Sequence, residues 1–230
     1  MMMLHRLSVA LAALLLVPAA LAGSLVLVDA RGVAMAPGTL VPDDKPLTLP
    51  DGAQMVLIAE DGSQITLRGP FTGIPANVAG SQGGTVQALA DLMGARATDT
   101  SALGAARDAG QPAPLPEPWL IDAGASGSGC LRPGHTLVLW RAAAQKQQSL
   151  TLMPADRGWT ANATWPAGEQ RLALPELPVQ EGATFLLELD GNAAAITFHH
   201  LPDAVTTRKM VGGWLLARGC DRQARALLKG

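Results

Sequence analysis

The chain has 230 residues, 48% of them apolar, with 17 basic against 19 acidic side chains and a net charge of −2. So even a balance excludes the basic footprint of a nucleic-acid binder, and no Lys/Arg cluster forms a polybasic patch for lipid headgroups. The length allows one large domain or two small ones.

The N-terminus reads as a signal peptide over 1–22. Arg6 supplies the basic start, LSVALAALLLVPAALA the apolar core, and Ala20-Leu21-Ala22 a small-residue cleavage site before Gly23. The core from Leu7 to Val17 is short of the ~20 residues that a membrane-spanning helix needs. No Cys follows the cleavage site, so no lipid attachment is expected there. The expectation is a periplasmic protein without stable membrane insertion. Cys130 and Cys220 are the two cysteines, and in an oxidising compartment they are expected to form a disulfide.

Residues 23–74 read as a small β unit of about five strands. SLVLVD is the first. Prolines at 37, 42, 46 and 50 leave only short strands near Thr39–Val41 and Leu47–Leu49. QMVLIAE and SQITLRG flank Glu60-Asp61-Gly62-Ser63, and Asp-Gly between apolar runs is a hairpin signal. Ile65 and Leu67 alternate with polar residues, as in a half-buried strand, whereas MVLIA is apolar on both faces and reads as a central strand. Gly69-Pro70 is expected to end the last strand.

The order Pro37-Gly38, Leu47-Thr48-Leu49, Asp51-Gly52-Ala53, then a hairpin closing on Leu67-Arg68-Gly69-Pro70, resembles the FecR-like β-domain of envelope signalling proteins. The resemblance covers about a fifth of the chain and rests on turns and core positions. It implies the β fold and an envelope role. The chain lacks an anti-sigma region before the apolar segment, so the transmembrane sigma-factor mechanism and its functional residues do not carry over.

Residues 75–117 are rich in Ala, Gly and Pro. Val86, Leu89, Ala90 and Met93 fall at helical spacing and predict a helix over about 85–96, followed by a linker ending in the extended GQPAPLPEP. Over 118–202, WLID, HTLVLWR, SLTLM, QRLALP, TFLLEL and AAITF predict an antiparallel β-sandwich of Ig-like layout. Residues 203–230 predict a helical hairpin. Val211, Trp214 and Leu215 share one face, Gly219 is the C′ residue, Asp221 the next N-cap, and Ala224, Leu227 and Leu228 face inward. The fold class is therefore mainly β, with a C-terminal helix pair.

No catalytic constellation emerges. The serines of SGSGC at 126–130 read as a flexible turn, since a nucleophile elbow needs a strand running directly into it. His199 and His200 end a strand and point to opposite faces. A metal site would need one of them with His135 and Asp122 or Asp203, without zinc-like spacing. There is no Walker A loop, and no G-x-G-x-x-G follows a strand. No catalytic, cofactor or metal residue is expected. The leading reading is an exported, non-catalytic envelope protein that binds another envelope protein as an accessory or sensory module, with Arg68, Trp159 and Trp165 as surface contacts. The alternatives are a periplasmic carbohydrate- or peptide-binding protein, with Trp159 and Trp165 stacking on ligand, or a metal-dependent hydrolase using His135, His199 or His200.

Overall fold

The computed structural model describes residues 23–79, 113–175 and 177–229. The signal segment and the helix expected over 85–96 lie outside the described residues. The protein is mainly β, with a C-terminal helix pair.

The first unit holds β1 (Ser24–Arg31), β2 (Leu40–Pro42), β3 (Leu47–Leu49), β4 (Gln54–Ile58), β5 (Gln64–Arg68) and β6 (Phe71–Gly73), followed by the short α1 (Ala76–Ala79). Four strands form one antiparallel sheet in the order β2-β1-β4-β5, and β3 pairs with β6. β5 ends at Arg68, directly before Gly69-Pro70 as expected, but it is not the last strand of the unit. The peptide is cis, and the chain continues into β6, which turns back onto β3.

Both faces of the four-stranded sheet are covered, which explains the unbroken apolar runs. On one face Leu25, Leu27, Met55, Leu57, Ile65 and Leu67 pack with Val41, Leu49 and Ala53. On the other, Val26, Val28 and Ile58 join the buried residues of the C-terminal helices. MVLIA is thus central both within its sheet and between two layers.

The second unit comprises β7 (Ile121–Asp122), β8 (Gly127–Leu131), β9 (Leu137–Trp140), β10 (Gln148–Pro154), β11 (Ala161–Trp165), β12 (Arg171–Leu174), β13 (Thr184–Leu189) and β14 (Asn192–His200). They form a five-stranded sheet, β11-β10-β13-β14-β8, and a three-stranded sheet, β12-β9-β7. Leu137 and Leu139 from the smaller sheet meet Leu150, Leu152, Phe185, Leu187, Ile196 and Phe198 from the larger in one core.

This sandwich is not wholly antiparallel. β8 runs parallel to β14, and β7 parallel to β9. Each parallel strand pairs with a partner to which no tight turn joins it, so hairpin signals could not reveal either pairing. The SGSGC segment is accordingly no flexible turn: Gly127–Leu131 is an edge strand. Gly129 fits tightly there: a Cβ would come within 3.0–3.1 Å of the Ile121, Ile196 and Phe198 side chains, which would have to shift.

The helices are α2 (Arg208–Ala217) and α3 (Asp221–Lys229). The Thr207 side chain caps α2 by accepting from the Met210 N–H at 3.2 Å. At its C-terminus Gly219 adopts φ +72°, Gly219 N–H donates to Leu216 O and Cys220 N–H to Leu215 O. That pair of bonds is a Schellman cap, and it places Cys220 immediately at the start of α3. Cys220, not Asp221, stands at the N-cap, since its carbonyl accepts from Ala224 N–H. Asp221 lies in the first turn, where a carboxylate suits the helix dipole. Gln223, Ala224 and Ala226 are the buried residues of α3, while Leu227 and Leu228 are half-buried.

Candidate functional site

The cysteines meet as expected. Cys130 and Cys220 form a disulfide with their Cα atoms 6.1 Å apart, joining β8 to the turn between α2 and α3. Gln223 reinforces this joint. Its Oε1 accepts from the Cys130 N–H at 2.7 Å, and its Nε2 donates to Cys130 O and to Pro118 O, both at 2.8 Å. The carboxamide thereby imitates a neighbouring strand and closes the outer edge of β8 at Cys130.

A second joint forms around Glu181. Its carboxylate contacts His199 Nδ1 at 3.0 Å, accepts from the His200 N–H at 2.6 Å, and lies 3.4 Å from the Arg218 guanidinium. Arg218 also donates to Val28 O of β1 at 2.6 Å. One guanidinium thus bridges the sandwich, the end of α2 and the N-terminal sheet. Burial alone would raise the Glu181 pKa, but the His200 N–H, His199 and Arg218 outweigh it and hold the carboxyl below the usual range. A carboxylate with a lowered folded pKa adds stability above its unfolded value, about 4.3, and loses it as pH falls through the folded value. Thermal melts should therefore show wild type above Glu181→Gln at neutral pH, with the gap closing in acid. A gap independent of pH would contradict this role.

A cleft of about 330 Å³ lies outside the three-stranded sheet. Trp119 and Leu120 approach it from the segment before β7, Arg132, His135 and Thr136 from the β8–β9 turn, and Arg171 from the start of β12. Leu120 and Leu131 are buried in its floor, with Val138 half-buried beside them. The Arg132 guanidinium sits 5.1 Å from the Trp119 ring centroid. Arg171 donates to the Glu117 carboxylate at 2.5 Å. Aromatic, cationic and apolar surfaces converge here, as in a ligand site.

A smaller cleft of about 210 Å³ opens between β7, β8 and the start of α3. Two of its charged groups engage each other, with Arg222 donating to Asp122 at 2.6 Å. Ser126 Oγ accepts from the Ala195 N–H, which makes it a strand tie.

The predicted contact residues fare differently. Arg68 is exposed at the end of β5, an edge strand. Trp159 is 38% exposed and rests on Phe185 with ring centroids 5.8 Å apart. Trp165 is no surface contact: it is 0% exposed, in the sandwich core under the Arg141 guanidinium. The ANATW strand that carries it was not foreseen, and its small polar residues give little strand signal. Arg141 was also missed. It is buried yet satisfied, donating to Glu169 O, Gln148 Oε1 and Pro166 O. No arrangement for a metal forms: among the described residues no three His, Cys, Asp or Glu side chains converge. His199 is taken by Glu181, His200 Nε2 lies 2.9 Å from Val179 O, and Asp122 pairs with Arg222.

Among the described residues no helix is long and apolar enough to cross a membrane. The chain matches no family model, and no curated protein aligns with it significantly.

Proposed function

We propose that this chain is an exported, non-catalytic protein of the bacterial envelope that binds another envelope protein as an accessory or sensory module. The observation that carries this reading is the Cys130–Cys220 disulfide, closed across 90 residues at the joint between sandwich and helices. Such a bond persists in oxidising compartments and is rare in the cytosol. The signal-like N-terminus supports the same compartment. The FecR-like resemblance of the turns and core positions over 37–70 supports an envelope role.

Binding is favoured over catalysis by how the polar side chains are used. His199, Glu181, Asp122 and Arg222 are spent on ties between segments. Arg68 and Trp159 remain exposed, and β5 and β11 are sheet edges to which a partner strand can add. The cleft beside Trp119 favours a second reading, a periplasmic small-ligand or peptide binder.

The test is crosslinking in cells from photoreactive residues placed at Arg68 and Trp159. Repeated capture of one envelope protein from either position supports the accessory role. Recovery of abundant bystanders alone from both would overturn it.

A further inference from the structure

We infer that the cleft beside Trp119 binds a small amphipathic carboxylate, with its head on the Arg132 guanidinium and its apolar body over Leu131 and Val138. This deepens the binding reading and rests on it, without depending on any particular protein partner.

The argument begins with how Arg132 is held. The Arg132 guanidinium carbon lies 5.1 Å from the Trp119 ring centroid, a cation–π contact that takes no oxygen partner. Among the described residues no oxygen takes those side-chain donors. Three other guanidinium groups are engaged: Arg171 by Glu117, Arg222 by Asp122 and Ala113 O, Arg218 by Glu181 and Val28 O. Arg132 is therefore held against the indole yet available for hydrogen bonding. That combination lowers the cost of ordering a long side chain when an anion binds.

The surroundings narrow the ligand class. Two guanidinium groups line the cleft with one acid, Glu117, so the cleft favours an anion. One uncommitted guanidinium fork matches the two oxygens of one carboxylate. Val138 offers apolar surface beside it, with the nearly closed Leu120 and Leu131 beneath. A volume of about 330 Å³ suits a small molecule rather than a folded partner. Stacking by a sugar ring is disfavoured, because Arg132 already covers a face of Trp119.

Two sources offer this chemistry, a peptide ending in an apolar residue and a medium-chain organic acid. Calorimetric titration of the full mature protein with N-acetylleucine, N-acetylleucinamide and octanoate separates them. At least one acid should bind, N-acetylleucine at least tenfold tighter than its amide if a peptide end is the source, octanoate tighter than N-acetylleucine if a fatty acid is. Arg132→Ala should weaken the bound acid at least tenfold. Arg132→Lys, which keeps the charge but loses the planar fork, should also weaken it. Arg132 is exposed, and intact disulfide and circular dichroism would confirm that both variants fold. No binding by either acid, equal binding of acid and amide, or unchanged affinity in Arg132→Ala would overturn the inference. Crosslinking from Arg68 and Trp159 reads the protein-partner role separately, so loss of one result leaves the other interpretable.

Discussion

Replacing Cys130 and Cys220 by alanine together will lower the unfolding free energy by about 4.6 kcal/mol, the loop-entropy value for closing a loop of this length. The separation is 90 residues, so the unfolded chain gains a large amount of freedom when the bond is absent. At this chain length the loss corresponds to a fall in Tm of roughly 10 °C. The bond also stands where three parts meet. Cys130 and Cys220 share a buried cluster with Val26, Val28 and Ile58 of the N-terminal sheet and with Trp214 and Leu215 of α2. Gln223 keeps its hydrogen bonds to the backbone at 130 in the variant, so the joint weakens without vanishing. Denaturant unfolding of the variant, and of wild type with and without reductant, measures the effect. An unchanged midpoint would show that the bond contributes nothing to the fold.

Gly213→Ala will destabilise the protein, although alanine is the better helix former. In an exposed helix interior this exchange gains about 1 kcal/mol. Here Gly213 faces the tip of the β4–β5 hairpin, and a Cβ would strike the Gly62 carbonyl oxygen, with its carbon 3.1 Å away. The obstacle is backbone and cannot swing aside. Gly62 is itself confined, with φ +85° and the Lys209 carbonyl against it. Thr207 Oγ1 donates to Glu60 O at 3.3 Å beside this contact. Hydrogen bonds from Ser63 and the attraction of Lys209 hold the Asp61 carboxyl below its usual range. The two backbones therefore meet as closely as glycine allows, and forcing them apart should cost about 1–3 kcal/mol. Denaturant midpoints of wild type and Gly213→Ala decide the sign. A more stable variant would mean that hairpin and helix do not dock in solution.

This contact shows how far local sequence signals reach. EDGS was legible as a turn, because Asp-Gly between apolar runs has a local cause. That the turn docks on α2 was not legible, since Gly62 and Gly213 are far apart along the chain and glycine carries no apolar signal. The double-faced run MVLIA was correctly read as central, but the layer on its second face is α2, which only the assembled fold supplies. The helix pair was readable from its 3.6-residue pattern and from Gly219. β8 and β11 were not, because glycines and small polar residues form them through pairing with distant or longer strands. The cleft shows the same division. Trp119 stood out as a tryptophan of the sandwich, whereas Arg132, Glu117 and Arg171 come from three separate segments. Trp165 was misjudged because burial of an indole under a cation depends on Arg141, which arrives from another strand.

The envelope role requires export, and one measurement addresses export directly. Cells would be fractionated with thiols trapped at lysis, and the intact mass of the protein determined in each fraction. The account predicts a periplasmic protein beginning at Gly23, with Cys130 and Cys220 oxidised and unreactive. A cytoplasmic protein that retains residues 1–22 and has both thiols alkylated would contradict it.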